Sequence, residues 1–570
     1  MGGVKKINYN NKNEVKMIIL TIFFLILSTS FNIRRDVSLY NSRICMLIQF
    51  YCIYISYNNL FIKYLYESVG ILGGFFNISS ISIIFHLLIF VLSLIIISIT
   101  GFYSRKCQNT NQLKKNTTVI NKKGEQYTIV EYSLIIQFII TGSILLISSS
   151  DLVSLFLSIE LQSYGLYILC TIYRNSESST ASGLTYFLLG GLSSCFILLG
   201  IGLIYANSGT TYLDSFYIIT NITNILTENE LNNPMTKDIA SYIPYCLLLI
   251  TIGLLFKMSA APLHFWSPDV YDGIPTIVTT FVAIIPKISL IVILFHLVHF
   301  TNNIYITSEY TWTTSLLISS LLSLIIGTVL GLTQIRIKRL FAYSTISHLG
   351  FILLAISINS VESIQSFIFY LIQYSISNLN AFLILISIGY TLYFFINQNK
   401  SYNNLIEKNN SPIQLISQIK GYFYINQTLA LSLAITLFSF AGIPPLIGFF
   451  AKLMVFSAAL QNGFVFLALI AVITSVISAV YYLNVVKFMF FEEQPYISSK
   501  ELFNAPAQII DNNKEVESKF SYTNVSLSNA LSIPISILTL IIILFMFTPD
   551  QVLHMSNLLS IILFTPCNFF

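Results

Sequence analysis

Charged residues are scarce in this 570-residue chain: Asp, Glu, Lys and Arg make up 9% of it, whereas apolar residues make up 55%. Soluble domains carry about 25% charged residues, so the composition excludes a cytosolic or secreted enzyme. The mean hydropathy of +0.76 instead indicates a chain whose solvent is a lipid bilayer. Because a membrane-crossing helix takes about 20 apolar residues, the length has room for roughly a dozen crossings or more.

Cysteine is also sparse, and its seven positions stand singly along the chain. Zinc and iron–sulfur sites usually need closely spaced cysteines, so a redox centre held by this chain alone is not expected. No glycine-rich loop of the phosphate-cradling type is present in the sequence. The formal charge of +5 is small for this length and is spread over short loops. Nucleic acid is therefore excluded as the implied partner.

Long apolar runs predict fourteen membrane-crossing helices, called spans 1 to 14 below. They begin near Met17, Cys45, Ile81, Tyr132, Leu152, Gly183, Ser241, Pro275, Thr313, Leu340, Ser363, Gln427, Phe464 and Ser532. A further apolar run over 552–564 is too short to cross and is expected to lie at the membrane interface. The predicted fold class is an all-α, polytopic integral membrane protein.

The positions of Lys and Arg agree with this count. Most of the 29 basic residues fall in the loops after spans 1, 3, 5, 9, 11 and 13, whereas the loops after even-numbered spans hold only Lys63 and Lys237. Loops rich in Lys and Arg are not translocated across the membrane and stay on the side from which the chain is inserted. With an even number of spans, both termini are expected on the opposite side.

The spans group into five segments. These are a tail, 1–16; spans 1 to 3 with a basic loop, 17–128; spans 4 to 8, 129–300; spans 9 to 13, 301–491; and a polar loop, span 14 and the C-terminal segment, 492–570. The tail carries four lysines on the side where basic residues are disfavoured. Two explanations stay open: the tail is tolerated, or Met17 is the true start and the tail is a wrongly assigned extension.

Four ionisable residues lie inside predicted spans: Glu160, Lys257, Lys287 and Lys452. A charge at the centre of a span costs about 2.5 to 3.5 kcal/mol, so each needs a reason. Glu160 and Lys287 lie roughly 13 to 18 Å from the nearest start of their spans, too deep for the side chain to reach water. For Lys257 and Lys452, snorkelling toward the membrane surface stays an alternative.

Prolines interrupt spans 7 and 12 beside two of these lysines: Pro262 follows Lys257, and Pro444 and Pro445 precede Lys452. Irregular backbone at membrane depth persists only where it is buried in protein or lines a wet cavity. The broken helix is the fourth of five both in spans 4 to 8 and in spans 9 to 13. This pattern is typical of an inverted-repeat transport fold. We therefore expect Lys257 and Lys452 to be symmetry-related partners.

Three lysines with one carboxylate at membrane depth suit proton transfer. Burial makes a lysine easier to deprotonate and a nearby carboxylate makes it harder, so Glu160 is expected to bias Lys257. The groups would then titrate as a coupled set. The structural alternative is a buried ion pair that only fixes helix packing. The excess of lysines over glutamate argues against simple pairing.

Other polar residues support smaller inferences. His348 lies among hydroxyl-bearing residues of span 10, where it either extends a water wire or packs as a hydrogen-bonded histidine. His86 is expected to be structural or interfacial. Asp269 and Asp272 are expected to form a turn after span 7, on the side of the basic loops.

Four stretches, 155–163, 257–266, 339–348 and 442–452, together carry a resemblance to a known family. They are similar to the antiporter-like membrane subunits of NADH:ubiquinone oxidoreductase, respiratory complex I. From about residue 17 to residue 550 the chain resembles the fungal mitochondrial members of the subunit 2 branch. That branch is expected to have a lysine in span 12, where the subunit 4 branch has a glutamate. The long lateral helix expected of the subunit 5 branch does not follow residue 550.

This resemblance implies a function and its residues. Glu160, Lys257, Lys287 and Lys452 match the charged positions of the family, and the implied activity is proton pumping driven by quinone reduction elsewhere in the complex. No cofactor is implied on this chain; FMN, iron–sulfur clusters and ubiquinone are expected on other subunits. Expected partners are lipid, antiporter-like subunit 4 and the small membrane-arm subunits near the quinone-coupling region.

The implied location is the mitochondrial inner membrane, with both termini on the intermembrane-space side. Two competing functions stay open at this point. One is a free-standing cation/proton antiporter built on the same repeat, and the other is a passive scaffold of the membrane arm.

Overall fold

The computed structural model describes residues 2–30, 37–61, 68–102, 105–107, 129–215, 234–301, 312–398, 411, 413–492 and 525–564. Its α-helices are α1 Gly2–Ser30, α2 Val37–Asn59, α3 Ser80–Gly101, α4 Tyr132–Ser148, α5 Leu152–Thr171, α6 Glu177–Ser208, α7 Pro234–Met258, α8 Trp266–Gly273, α9 Thr276–Phe300, α10 Thr313–Leu332, α11 Ile337–Ile358, α12 Val361–Gln398, α13 Gln427–Ala441, α14 Ile447–Gln461, α15 Val465–Phe490, α16 Asn529–Leu544 and α17 Pro549–Phe564. Two antiparallel pairs of short strands accompany them, β1 Val69–Ile71 with β2 Phe76–Ile78 and β3 Arg105–Cys107 with β4 Val525–Leu527.

The all-helical membrane fold is confirmed. In the described part of the chain, nine helices are long and apolar enough to cross a membrane, and four shorter apolar helices accompany them. Spans 4, 5, 9 and 12 begin at the residues predicted. Spans 1 and 2 begin earlier, at Gly2 and Val37, because helix formation continues through polar residues that a search for apolar runs leaves out.

Spans 7 and 12 are discontinuous, as predicted. Span 7 consists of α7 and α8, separated by 259–265, and span 12 consists of α13 and α14, separated by 442–446. Each first half ends on a residue in the left-handed backbone region, Ser259 with φ 63° and Gly442 with φ 82°. In span 7 the indole Nε1 of Trp266 donates to the carbonyl of Phe256 at 2.9 Å, which satisfies one of the exposed carbonyls at the end of α7.

Side-chain caps fix where the helices α5 and α13 begin. The Asp151 carboxylate accepts hydrogen bonds from the backbone N–H groups of Val153 and Ser154, at 3.1 and 3.3 Å, and so starts α5. The Asn426 side chain accepts from Leu429 N–H at 3.2 Å and starts α13 in the same way. These caps set the depth at which the residues of both helices lie.

Contacts between the connecting segments agree with alternate crossing of the membrane. Among odd-numbered connections, β3 after span 3 pairs with β4 after span 13, and Arg336 after span 9 forms a β-bridge with Leu415 after span 11. Among even-numbered connections, Asp151 after span 4 bridges Tyr212 after span 6. Each contact joins connections of the same parity, so each lies on one face of the membrane.

Two five-span units repeat the same backbone pattern. Near the starts of spans 5 and 10, two hydrogen bonds tie the chain to the segment after the next span: Leu152 N–H to Thr211 O (2.9 Å) and Leu213 N–H to Ser150 O (3.0 Å), matched by Ile337 N–H to Gln414 O (2.9 Å) and Ile416 N–H to Ile335 O (3.1 Å). Because spans 5 and 10 are five crossings apart, they enter from opposite faces, which makes the repeat an inverted one. The exact boundaries of the two units stay a prediction.

Burial separates central helices from peripheral ones. The apolar windows of α9, α11 and α12 are 94%, 89% and 89% buried, whereas those of α6, α15 and α16 are each 33% buried. The central helices are therefore surrounded by protein rather than lipid. Lys287 of α9 and His348 of α11 consequently lie in the interior of the molecule.

Close packing at equivalent glycines joins the first two spans of each unit. A Cβ added to Gly142 of span 4 would lie 2.8 Å from the backbone nitrogen of Gln162 in span 5. A Cβ added to Gly327 of span 9 would lie 2.7 Å from the backbone nitrogen of Ser347 in span 10. Small residues permit such close approach of membrane helices.

We expect Gly142→Ala and Gly327→Ala to destabilise the protein by about 1–3 kcal/mol each, because the added methyl group meets backbone that cannot rotate away. Gly191→Ala is the matched control, since a Cβ there meets nothing within 4 Å. The measurement is thermal unfolding of the detergent-solubilised protein. Unchanged stability in both variants would contradict the close approach of the two helix pairs.

Candidate functional site

Glu160 and Lys257 form a buried ion pair. Lys257 Nζ donates to Glu160 Oε1 at 2.8 Å, and the two side chains are 7% and 14% exposed. Glu160 lies in the middle of α5 and Lys257 in the last turn of α7, so the pair joins a continuous helix to a broken one. The Ser163 hydroxyl donates to the second carboxylate oxygen at 3.4 Å. The predicted proximity of Glu160 and Lys257 is therefore present in the fold.

Lys287 lies at the centre of the molecule, on α9, where its residue is 2% exposed. Its Nζ donates to the hydroxyl of Ser259, in the break of span 7, at 3.2 Å. A second hydrogen bond goes to the hydroxyl of Thr345, on α11, at 3.1 Å. Since Ser259 belongs to the first five-span unit and Thr345 to the second, Lys287 connects the two units.

His348, one turn after Thr345 on α11, is buried between two tyrosines. One ring nitrogen, Nδ1, lies 2.7 Å from the Tyr370 hydroxyl, and the other, Nε2, lies 3.3 Å from the Tyr482 hydroxyl. A neutral imidazole has one donor and one acceptor nitrogen, so it can pass a proton from one hydroxyl to the other. The same contacts also satisfy a packing histidine, and both interpretations of His348 stay open.

Lys452 is held by main-chain oxygens rather than by a carboxylate. Its Nζ donates to the carbonyls of Phe440 and Ala441 at 2.8 and 2.9 Å. These are the last two residues of α13, where the helix dipole places partial negative charge. At 5% exposure the residue does not reach the surface of the protein. The burial of Lys257 and Lys452 argues against snorkelling at either position.

The expectation that Lys257 and Lys452 are symmetry-related is wrong. Ala260 N–H donates to Leu255 O at 3.0 Å at the end of α7, and Ile443 N–H donates to Phe438 O at 3.1 Å at the end of α13. This pattern superimposes Ser259 on Gly442 and therefore Lys257 on Phe440. Lys257 precedes the break in its span, whereas Lys452 follows the break in the other. In the sequence both lysines lie close to prolines. That closeness does not show whether a lysine lies before or after the break in its helix.

Asp269 and Asp272 are not turn formers, because both lie within the short helix α8. Asp272 pairs with Arg336 and with Arg339, whose Nε lies 3.1 Å from Asp272 Oδ2. Arg339 also reaches Asp269 at 3.1 Å. These ion pairs fasten the second half of span 7 to the start of span 10. They lie among the odd-numbered connections, on the face predicted for Asp269 and Asp272.

A small cavity adjoins Lys257, between α5, α6, α7 and α9. Its volume is about 20 Å³, which is enough to hold one water molecule. Its wall is mostly apolar, and Lys257, Gln162 and Ser163 are the residues with polar side-chain ends among those that line it, beside Tyr167 and Trp266. The cavity thus leaves space for one water molecule beside Lys257.

The histidine predicted to be structural or interfacial, His86, is buried on α3, beside Glu14 in the middle of α1 and Asn59 at the end of α2. Its Nδ1 lies 3.7 Å from the carboxylate of Glu14, which also accepts from Asn59 Nδ2 at 2.8 Å. His86 Nε2 lies 3.2 Å from the carbonyl of Ile144. Within the described residues, no group of three His, Cys, Asp or Glu side chains is placed to hold a metal ion.

Two residues that link the charged groups were not predicted individually, Ser259 and Thr345. Ser259 lies in the broken stretch after Lys257, and Thr345 lies in the run of hydroxyl-bearing residues before His348. The signal for Thr345 is its spacing, since it stands three residues before His348 on one helix face. The partner that makes either hydroxyl relevant, Lys287, lies on a different helix and is not identifiable from local sequence.

Comparison with known proteins identifies the fold family. Residues 149–478 match the family described as NADH:quinone oxidoreductase/Mrp antiporter, transmembrane. The chain belongs to this family. The matched region contains all five predicted site residues, Glu160, Lys257, Lys287, His348 and Lys452, and both broken spans.

Individual relatives extend the match over the whole length. The NADH-ubiquinone oxidoreductase chain 2 of Rhizopus oryzae is 43% identical over 552 residues, which covers 96% of this chain and all of the relative. A chain of respiratory complex I from Thermus thermophilus aligns with a TM-score of 0.65 at 21% identity, over 95% of this chain and 98% of that one. A chain of the Mrp complex from Dietzia aligns with a TM-score of 0.70 at 16% identity, over 97% and 98%. The two structural matches show a shared fold.

We expect Glu160→Gln to destabilise the protein by about 3–5 kcal/mol, because it leaves Lys257 buried without its counter-charge. The double variant Glu160→Gln, Lys257→Met removes both charges and should recover most of that loss. Thermal unfolding of the single and double variants measures this difference. If the double variant is as unstable as the sum of the two single variants, the two side chains do not interact as described.

Proposed function

We propose that the chain is a proton-translocating membrane-arm subunit of NADH:ubiquinone oxidoreductase, located in the mitochondrial inner membrane. The observation that supports this proposal is the series of side chains Glu160, Lys257, Ser259, Lys287 and Thr345. The contacts Glu160–Lys257, Lys287–Ser259 and Lys287–Thr345 measure 2.8, 3.2 and 3.1 Å. The near-complete alignment with a chain named for this enzyme supports the assignment.

In this mechanism the ion pair is the gate. While Glu160 holds Lys257 by charge and hydrogen bond, Lys257 keeps its proton. A charge change next to Glu160, delivered from a neighbouring subunit, weakens that hold and allows the proton to move toward Lys287. His348 and Lys452 then govern exchange with the second unit. Electron transfer itself occurs on other subunits, which carry the FMN, iron–sulfur clusters and ubiquinone site.

The energies are of the right order for such a gate. Moving one charge against about 150 mV requires about 3.5 kcal/mol. Opposite charges at the observed 2.8 Å attract by about 6 kcal/mol at an effective dielectric constant of about 20. Breaking or restoring one such pair is therefore enough to decide whether a proton moves.

The partners in this proposal are lipid and other membrane-arm subunits, including antiporter-like subunit 4 and the small subunits near the quinone-coupling region. An orientation with both termini toward the intermembrane space follows from the basic residues of the odd-numbered connections. Glu160, at 14% side-chain exposure on an otherwise apolar outer face of α5, is accessible to the field of an adjoining subunit.

The second candidate function is a free-standing cation/proton antiporter, which the breadth of the matched family favours. Co-purification separates the two. A complex subunit is expected to travel with a large NADH-oxidising assembly from mitochondrial membranes and to transport nothing when reconstituted alone. Cation-dependent proton exchange by the isolated chain in liposomes would instead support the antiporter.

We expect Lys287→Met to abolish proton translocation by the assembled complex, because it removes the buried cation that hydrogen-bonds both Ser259 of the first unit and Thr345 of the second. Lys487→Met, in the last turn of α15 on an exposed surface, is the matched control and should leave pumping unchanged. The measurement is proton uptake or release per NADH oxidised by complexes in sealed liposomes. Full pumping by Lys287→Met would remove the proton role and leave the passive-scaffold alternative.

A further inference from the structure

Thr345 occupies, in the second five-span unit, the position that Glu160 occupies in the first. Spans 5 and 10 begin at Leu152 and Ile337, which make equivalent backbone hydrogen bonds. Glu160 is eight residues after the first start and Thr345 is eight residues after the second. The glycine contacts of the two units, at Gln162 and Ser347, lie two residues further along in both.

Thr345 thus places a hydroxyl where the first unit has a carboxylate. This difference affects Lys287, because Thr345 is one of its hydrogen-bond partners. The polar groups in contact with its Nζ are the hydroxyls of Ser259 and Thr345, and the ring of Tyr271 lies 5.5 Å away. Among the described residues, no carboxylate lies within ion-pair distance of Lys287. The lysine at the junction of the two units is therefore solvated by hydroxyl groups and not neutralised by a fixed charge.

The Thr345 hydroxyl donates to the carbonyl of Ala342 in its own helix at 2.8 Å. His348 follows one turn later on α11, and its ring lies 5.5 Å from the ring of Tyr374 on α12. Asn378 Nδ2 donates to the Tyr374 hydroxyl at 3.3 Å. Thr345 thus stands between Lys287 and the His348 group, and all of these side chains are buried.

We propose that the Thr345 hydroxyl is the proton relay through which Lys287 exchanges protons with the second unit. In the first unit, the equivalent structural position is occupied by the charged residue Glu160. This inference rests on the proposed proton-translocating function. In the step, a bond from Nζ to hydrogen breaks and a new bond from that hydrogen to Oγ1 forms. The original Oγ1 proton leaves to a water molecule on the His348 side, which becomes hydronium and carries the proton onward, so Lys287 becomes neutral and Thr345 is restored.

A neutral relay has a physical advantage at this position. A carboxylate in contact with Lys287 would favour the charged lysine and retain its proton, as Glu160 does for Lys257. A hydroxyl both accepts and donates, and it carries no charge that would hold the ammonium group. The two units therefore differ in kind: the first has an ion pair at Glu160, whereas the second has the Thr345 hydroxyl at the equivalent position and a lysine of its own, Lys452, that is held by carbonyls.

Three variants of the assembled complex in sealed liposomes test the relay. Thr345→Ser keeps the hydroxyl and should pump within about twofold of the unmodified protein, whereas Thr345→Val keeps the shape without the hydroxyl. The rate of proton translocation should fall on the order of 100-fold in Thr345→Val, the scale of losing one proton-transfer group. Thr328→Val is the matched control, a buried threonine of α10 whose hydroxyl bonds only within its own helix.

The outcomes separate this inference from the proposed function. Full pumping by Thr345→Val together with none by Lys287→Met overturns the relay and leaves the function standing. Full pumping by both overturns the function itself. If Thr345→Val does not assemble, Thr345→Cys replaces it, because a thiol of similar size is only a weak donor and acceptor. Loss of pumping in Thr345→Cys with retention in Thr345→Ser supports the relay, and full pumping in Thr345→Cys overturns it.

Discussion

The structure depends on one buried ion pair, Glu160 with Lys257. Neither charge is stable alone at this depth, and removing either partner leaves an uncompensated charge in a low-dielectric interior. The pair is also the contact between a continuous helix and a discontinuous one. Any movement of the end of α7 therefore changes an electrostatic interaction, and any change in charge near Glu160 acts on the end of α7.

The helix breaks give the remaining polar groups their places. The break of span 7 brings the Ser259 hydroxyl to Lys287, and the break of span 12 exposes the two carbonyls that hold Lys452. The contact with Lys452 is not available to an intact helix, because the carbonyls of an intact helix bond internally. Irregular backbone thus provides hydrogen-bonding groups in a region that otherwise contains only hydrocarbon.

The order of the apolar helices and the two helix breaks were predictable from the sequence because hydropathy and proline positions act locally. The four charged side chains were identifiable by the same logic, since a charge in an apolar run costs energy wherever it occurs. What local sequence does not contain is register between spans. The equivalence of Lys257 and Lys452 was wrong for this reason, as were the turn assignments of Asp269 and Asp272, whose partners Arg336 and Arg339 lie on another span.

The lack of register information in local sequence also explains why Thr345 was not predicted individually. A threonine in a membrane helix most often bonds to its own backbone, and Thr345 does so as well, to Ala342 at 2.8 Å. Its contact with Lys287 exists only because the inverted repeat places span 10 against span 8. A hydroxyl contact of this kind is identified by comparing the backbone hydrogen bonds of the two units residue by residue.

The central claim is that charged and hydroxyl groups form one hydrated line from Glu160 to Lys452. A density map of the intact complex in lipid, at a resolution that shows ordered water, tests it most directly. The account predicts water molecules in the cavity beside Lys257 and between Thr345 and the His348 tyrosines, with the Glu160–Lys257 contact retained. Apolar side chains packed without water across either gap would contradict it.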